Sequence, residues 1–366
     1  MSNDAVNYIK VKEIKSALDA LWEKHKDSNT TRASLFNLVI YVKKDKREEY
    51  LQQIAKNIIS KYPCRMIVIT EHPQTEEDFF KCHVSDIQPH ENSSIFCEVI
   101  HFEVSESRRD EIPFVVLPHL LPEKDVYLLW GDDPLVKDPI SIKLENRATR
   151  TIFDSETAGD MVDFSNMVLA HQSKVLCDIG DLNWARTSPW RNLMHNAFNN
   201  ESELSTIMNT KDIHITYNSY ESDYFSHNKI QATYFQGWIA TKMGWNLQTV
   251  LSTGNELSFK YNAPQGDVSI LLTRGTNNEV STGRILSCEI NSKDNKNITF
   301  TREASNRNKI AMHHCNLSTC EMPTYHMFNK DMIGRSMMRE IYARGTDLSF
   351  LKVLELIKTC KKGMLT

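Results

Sequence analysis

Two tryptophans and two arginines, Trp184, Arg186, Trp190 and Arg191, fall within eight residues of the run Asp178-Ile-Gly-Asp-Leu-Asn-Trp-Ala-Arg-Thr-Ser-Pro-Trp-Arg191. Indole and guanidinium groups join large contact area to directed donors, which is why they dominate binding hot spots between proteins. With their neighbours they make a candidate partner-contact set of Asp181, Asn183, Trp184, Arg186, Trp190 and Arg191. The plainer alternative is that both indoles fill a core and the arginines pair with Asp178 and Asp181. A third possibility is chemical: Asp154 and Asp181 follow strands, where α/β active sites gather, and Arg186 with Arg191 could clamp a sugar phosphate in an enzyme or sensor.

A second cluster holds His313, His314, Cys315, Cys320 and His326. Zinc sites favour closely spaced ligand pairs on tight turns. Cys-x4-Cys on an extended segment does not supply them, so no metal is expected. Cys315 and Cys320 stay as a candidate redox pair, because a disulfide in a reducing compartment would be regulatory. No Gly-x-Ser-x-Gly, His-Glu-x-x-His or Cys-x-x-Cys occurs, so the common local signatures of hydrolases, zinc peptidases and dithiol oxidoreductases are missing and no catalytic residue is assigned.

The elements that must position these residues follow from periodicity. The apolar strand 35–42, a helix with Tyr50, Ile54 and Ile58 at spacing four, the stop Tyr62-Pro63 and the strand 66–70 make a βαβ unit and predict a parallel sheet. Further strands are expected at 100–104, 126–130, 151–153 and 175–179, with helices at 14–22, 110–121 and 160–172. A helix is expected to begin at Pro189 behind a Ser188 cap, which puts the tryptophan-arginine run at a strand-to-helix turn. A helix at 228–243 precedes alternating strands around Leu257, Phe259 and Tyr261 and around Leu286, Cys288 and Ile290, read as an antiparallel meander, and two helices at 329–343 and 347–360 close the chain. The expected architecture is an arm over 1–30, a Rossmann-like α/β domain over 31–158 with a mostly parallel sheet, and an α+β domain with an antiparallel sheet over 159–366.

That first domain invites a dinucleotide, but its glycines refuse one. The first glycine of the chain is Gly131, and the first strand-to-helix turn reads Lys43-Lys44-Asp45-Lys46. Neither a dinucleotide fingerprint nor a Walker loop can form there, so no cofactor is expected. Lys and Arg number 43 against 47 Asp and Glu, a formal charge of −4. That balance disfavours nucleic acid and anionic membranes as partners. Residues 1–15 lack the apolar core of a signal peptide, and no run of apolar residues is long enough to span a membrane, which predicts a cytoplasmic protein. Eight scattered cysteines fit a mostly reduced chain.

The run Asp181 to Arg191 closely resembles the signature of the bacterial glucose-6-phosphate dehydrogenase assembly proteins, the OpcA family. Arg32-Ala-Ser-Leu-Phe-Asn-Leu-Val-Ile40, Tyr62-Pro-Cys-Arg-Met-Ile-Val68, Cys97-Glu-Val-Ile-His-Phe102, Val115 to Pro122 and Val126 to Trp130 resemble, in order, its successive N-terminal elements. Gly237-Trp-Ile-Ala-Thr-Lys-Met-Gly-Trp245 is similar to a helix of its second half. Thr187-Ser188 departs from the Leu-Thr often found there. The resemblance runs from about residue 30 to about residue 250. It implies a non-catalytic protein that binds glucose-6-phosphate dehydrogenase and promotes its active oligomer, with the tryptophan-arginine turn forming part of the contact.

Overall fold

A computed structural model describes residues 6–25, 31–59, 61–87, 95–134, 139–174, 176–225, 227–254, 256–329 and 334–365. In chain order the elements begin with α1 (Ile14–His25), β1 (Thr31–Arg32), β2 (Asn37–Lys43), α2 (Lys46–Ile59), β3 (Arg65–His72), β4 (Phe80–Ile87) and β5 (Ile95–Ser105). Next come α3 (Ile112–Val116), β6 (Val126–Gly131), α4 (Pro139–Glu145), β7 (Arg150–Phe153), α5 (Met161–Gln172), β8 (Asp178–Asp181), α6 (Leu182–Ala197) and α7 (Glu201–Met208). The remainder is β9 (Thr210–Asn218), α8 (Ile230–Met243), β10 (Asn246–Thr253), β11 (Glu256–Asn262), β12 (Val268–Gly275) and β13 (Ile285–Ser292). It ends with β14 (Asn297–Glu303), β15 (Asn306–Cys315), β16 (Thr324–Met327), α9 (Arg335–Tyr342) and α10 (Leu348–Lys358).

The chain forms two compact units. One comprises Met1–Thr157, His171–Asp181 and Ile333–Gly345; the other comprises Ala158–Ala170, Leu182–Met332 and Thr346–Thr366. A single cut at residue 158 therefore does not describe it. Two later pieces return to the first unit: β8 extends the sheet beyond β7, and Glu340 of α9 meets Arg150 of β7. Alternation along a strand says which faces are buried but not which sheet the strand joins.

The first unit's sheet runs β1-β5-β3-β2-β6-β7-β8, parallel throughout, with β4 antiparallel on β5. Asn37 to Val42 and Arg65 to Glu71 are buried at every position, the pattern of parallel strands covered on both faces. The expected helix 110–121 is broken into 3-10 turns around the short α3, because Pro113 and Pro118 withdraw backbone donors. Residues 1–5 and 26–30 of the expected arm, Val175 at the start of the expected strand 175–179, and residues 330–333 of the expected helix 329–343 lie outside the described residues.

The second unit's sheet runs β10-β11-β12-β9-β13-β14-β15-β16. It is mostly antiparallel, but β9 inserts parallel to β12 and antiparallel to β13, so it is not the simple meander expected. Its apolar face carries Phe259, Ile270, Ile215, Cys288 and Phe300, all fully buried. The α6 helix starts at Leu182 rather than Pro189 and runs straight through the proline. Burial of ten of its residues outweighs the one backbone hydrogen bond that Pro189 cannot donate.

Candidate functional site

The α6 helix turns most of the candidate contact set inward. Asp181, the residue before the helix, is fully buried; its carboxylate accepts from Ser155 N at 2.8 Å and Ser155 Oγ at 3.1 Å and so ties down the segment after β7. Asn183 Oδ1 accepts from Arg186 at 2.7 Å and from Gln231 Nε2 of α8 at 3.4 Å. Arg186 is 4% exposed, with its guanidinium 5.3 Å from the Phe225 ring centroid. Its backbone carbonyl receives Arg284.

Trp184 and Trp190 are each 2% exposed. Trp184 Nε1 donates to Asp347 Oδ2 at 2.9 Å, and its ring lies against Tyr234 and Phe350. The Arg191 guanidinium sits 3.6 Å from the same ring's centroid and donates to Trp184 O and to Thr187 Oγ1. Trp190 packs on Phe235 and Phe328. A contact role read from residue type thus becomes a core role: on a helix buried around most of its circumference, indoles fill volume and arginines stack on or bond to the helix itself. Arg186 is buried and Arg191, only partly buried, lies over the Trp184 ring, so the two guanidinium groups are not set side by side as an open clamp.

The two indoles differ in one testable respect. Trp190 Nε1 has no acceptor among the described residues, whereas Trp184 Nε1 bonds the carboxylate that caps α10 through Ser349 N. Trp184→Phe should therefore cost about 1 kcal/mol more stability than Trp190→Phe in urea unfolding. Equal costs would show that the Asp347 bond contributes nothing net.

At the β2–α2 turn, where a Rossmann-type fold holds pyrophosphate, the donors are taken. Asp45 Oδ1 accepts from the first-turn amides of Arg47 at 2.8 Å and Glu48 at 3.1 Å. Lys43 pairs with Asp132 at 2.8 Å, Lys44 with Glu48 at 2.9 Å, and Arg47 makes a bidentate bond to buried Asp154. Glu71, at the end of β3, is buried against Tyr41 and Arg109. Gly131 is there for packing, since a Cβ would lie 2.5 Å from Leu51 Cδ1 and 2.9 Å from Tyr41 O. These residues do not fit a dinucleotide: the helix terminus that would bind its phosphates already carries a carboxylate.

Cys315 and Cys320 form a disulfide, with Cα atoms 4.1 Å apart, between the end of β15 and the loop leading to β16. Among the described residues no three His, Cys, Asp or Glu side chains gather as metal ligands. None of the described helices is long and apolar enough to cross a membrane.

Residues 55–168 match the family model described as glucose-6-phosphate dehydrogenase subunit N-terminal domain, and residues 177–339 match its C-terminal counterpart. The chain belongs to the OpcA family. An OpcA relative from Synechocystis, named as an OxPP cycle protein, is 27% identical over 201 residues, covering 52% of this chain and 39% of that protein. One from Synechococcus elongatus is 24% identical over 217 residues, covering 57% and 46%. The match thus spans less than half the length of these OpcA relatives. Among solved structures, a 3-ketoreductase from Actinomadura kijaniata in complex with TDP-benzene and NADP has a TM-score of 0.50 at 7% identity, covering 89% of this chain and 96% of that one. The likeness shows a shared fold and nothing of the chemistry.

Sequence reasoning missed one feature of this OpcA chain, a cleft of about 850 Å³ between the loops after β9 and β12. Its only signal was the turn punctuation at Asn277-Asn278 and Gly283.

Proposed function

We propose that the chain is a non-catalytic, cytoplasmic subunit that binds glucose-6-phosphate dehydrogenase and favours its active oligomer. The observation that carries this reading is the Asp45 carboxylate seated on the α2 amides. An oxidoreductase-type scaffold whose own side chain fills its phosphate seat is suited to binding another protein rather than to hydride transfer. The family description as a dehydrogenase subunit supports the choice of partner. To activate, the chain must bind the active state more tightly than the inactive one; a tenfold shift needs about 1.4 kcal/mol of difference.

With the tryptophan helix buried, the contact is better sought at the hairpin leading to β16. Leu317, Met322, Tyr325 and Met327 are all at least half exposed there, and β16 is the end strand of its sheet. Thr324 to Met327 carries no Lys, Arg, Asp or Glu, so nothing on it guards an open edge against pairing. The hairpin lies inside the matched subunit domain, and the dehydrogenase is its proposed occupant. Combining Tyr325→Asp with Met327→Asp should weaken association with the dehydrogenase at least tenfold by biolayer interferometry, without changing the melting temperature of this chain. Unchanged affinity would place the contact elsewhere.

The Cys315–Cys320 disulfide closes this same hairpin, which favours a redox-responsive version of the reading. A reductant should alter the affinity of the native chain and leave that of Cys315→Ser unaltered.

A further inference from the structure

The cleft missed in the sequence is held open by buried polar groups. Asn218, fully buried at the end of β9, donates to Asn277 O at 2.9 Å and Val280 O at 2.6 Å, and its Oδ1 accepts from Asn277 N at 2.9 Å and Tyr220 N at 3.3 Å. One side chain thereby pins both rims. Thr282 Oγ1 donates to Tyr220 O at 2.7 Å, and Ser219 Oγ to Gly275 O at 3.0 Å. Gly283 adopts φ +78°, and a Cβ there would lie 3.3 Å from Gln231 Nε2 and 3.4 Å from Asn228 O. Behind the wall, Arg284 reaches Arg186 O, and Arg186 backs the Phe225 ring. Arg186, a buried residue of the family signature, therefore buttresses the cleft. Buried polar networks are costly unless every group is satisfied, and walls fixed in this way lose little freedom when a ligand enters.

The lining restricts what could enter. Glu221 and Asp223 supply carboxylates, Tyr220 and Phe225 aromatic faces, Thr282 a hydroxyl and Asn228 an amide. No Lys or Arg lines it among the described residues, which argues against a phosphate. No metal-ligand cluster is present among them either. The polar lining does not suit a wholly apolar molecule. A sugar ring matches it: hydroxyls donate to carboxylates and exchange bonds with hydroxyl and amide groups, while the C–H face of the ring packs on an aromatic side chain.

We infer that this cleft between the β9 and β12 loops binds the ring of a hexose, with any phosphate ester directed out to solvent. The inference does not depend on the dehydrogenase being the partner. Isothermal titration of the full chain with glucose, glucose 6-phosphate and inorganic phosphate separates the ring from the anion. Saturable binding is expected for glucose and glucose 6-phosphate, and none for phosphate. Asp223→Asn and Phe225→Leu, both near the rim, should each weaken glucose binding at least tenfold with an unchanged circular dichroism spectrum. Binding of phosphate without glucose, absence of binding by either sugar, or full affinity in both variants would each overturn the inference.

Discussion

Arg150→Met should lower the unfolding free energy of the first unit by about 3–5 kcal/mol, the range measured when one member of a buried ion pair is removed. Arg150 is 2% exposed, and its guanidinium joins three segments distant in sequence. It donates to Ile179 O on β8 at 3.0 Å, to Glu340 on α9 at 3.3 Å, and to Ala343 O and Gly345 O beyond that helix at 3.1 and 2.6 Å. Methionine fills similar volume but leaves those carbonyls and a largely buried carboxylate without the cation. The strand is shaped around this pair, since a Cβ on Gly180 would lie 1.9 Å from Glu340 Oε2 and 3.3 Å from the arginine. Gly180→Ala should therefore lose stability in the same direction. Urea unfolding followed by circular dichroism checks both; a loss below about 1 kcal/mol for Arg150→Met would show that water substitutes freely for the guanidinium.

Acidification from pH 7 to pH 5 should remove about 2 kcal/mol from the same unit through one imidazole. His83 and His101 face each other across β4 and β5, their rings stacked with centroids 4.3 Å apart and planes 7° from parallel. Burial, then the neighbouring His83, then Lys56 hold the His101 pKa down to about 4 from an ordinary 6.5. His83 is lowered too, mainly by burial. The neutral ring is the folded form, so the unfolded chain binds more protons between these values. Stability is complete above pH 6.5 and falls as the pH drops toward 4. His101→Phe, which keeps a flat ring opposite His83, should flatten the slope between pH 6.5 and 5. A wild-type chain equally stable at pH 7 and pH 5 would contradict this assignment.

Much of the first unit was legible because parallel strands read as unbroken apolar runs and because glycine is the one residue that lets backbone meet a pyrophosphate. The missing fingerprint was visible in Lys43 to Lys46, although the agent that fills the seat, Asp45, needed coordinates. Proline misled at position 189, where tertiary burial kept α6 helical through it. Trp184 and Trp190 show a deeper limit: residue type announces large contact area but not whether the surface covered belongs to a partner or to Tyr234, Phe235 and Phe350 of the same chain. Long-range choices were also hidden. Nothing local distinguishes a β9 that inserts beside β12 from one that begins a meander, or a Glu340 that pairs with a strand residue 190 positions earlier. The cleft stayed invisible because its walls are loops whose order depends on one buried asparagine.

The proposed role, acting on a dehydrogenase rather than as one, is checked by steady-state kinetics of glucose-6-phosphate dehydrogenase with increasing amounts of the chain. The expected result is a saturable rise in turnover or fall in KM, of about tenfold, that appears together with a larger native mass, while the chain alone oxidises no glucose 6-phosphate. Unchanged kinetics and mass at saturating concentrations, or turnover by the isolated chain, would contradict it.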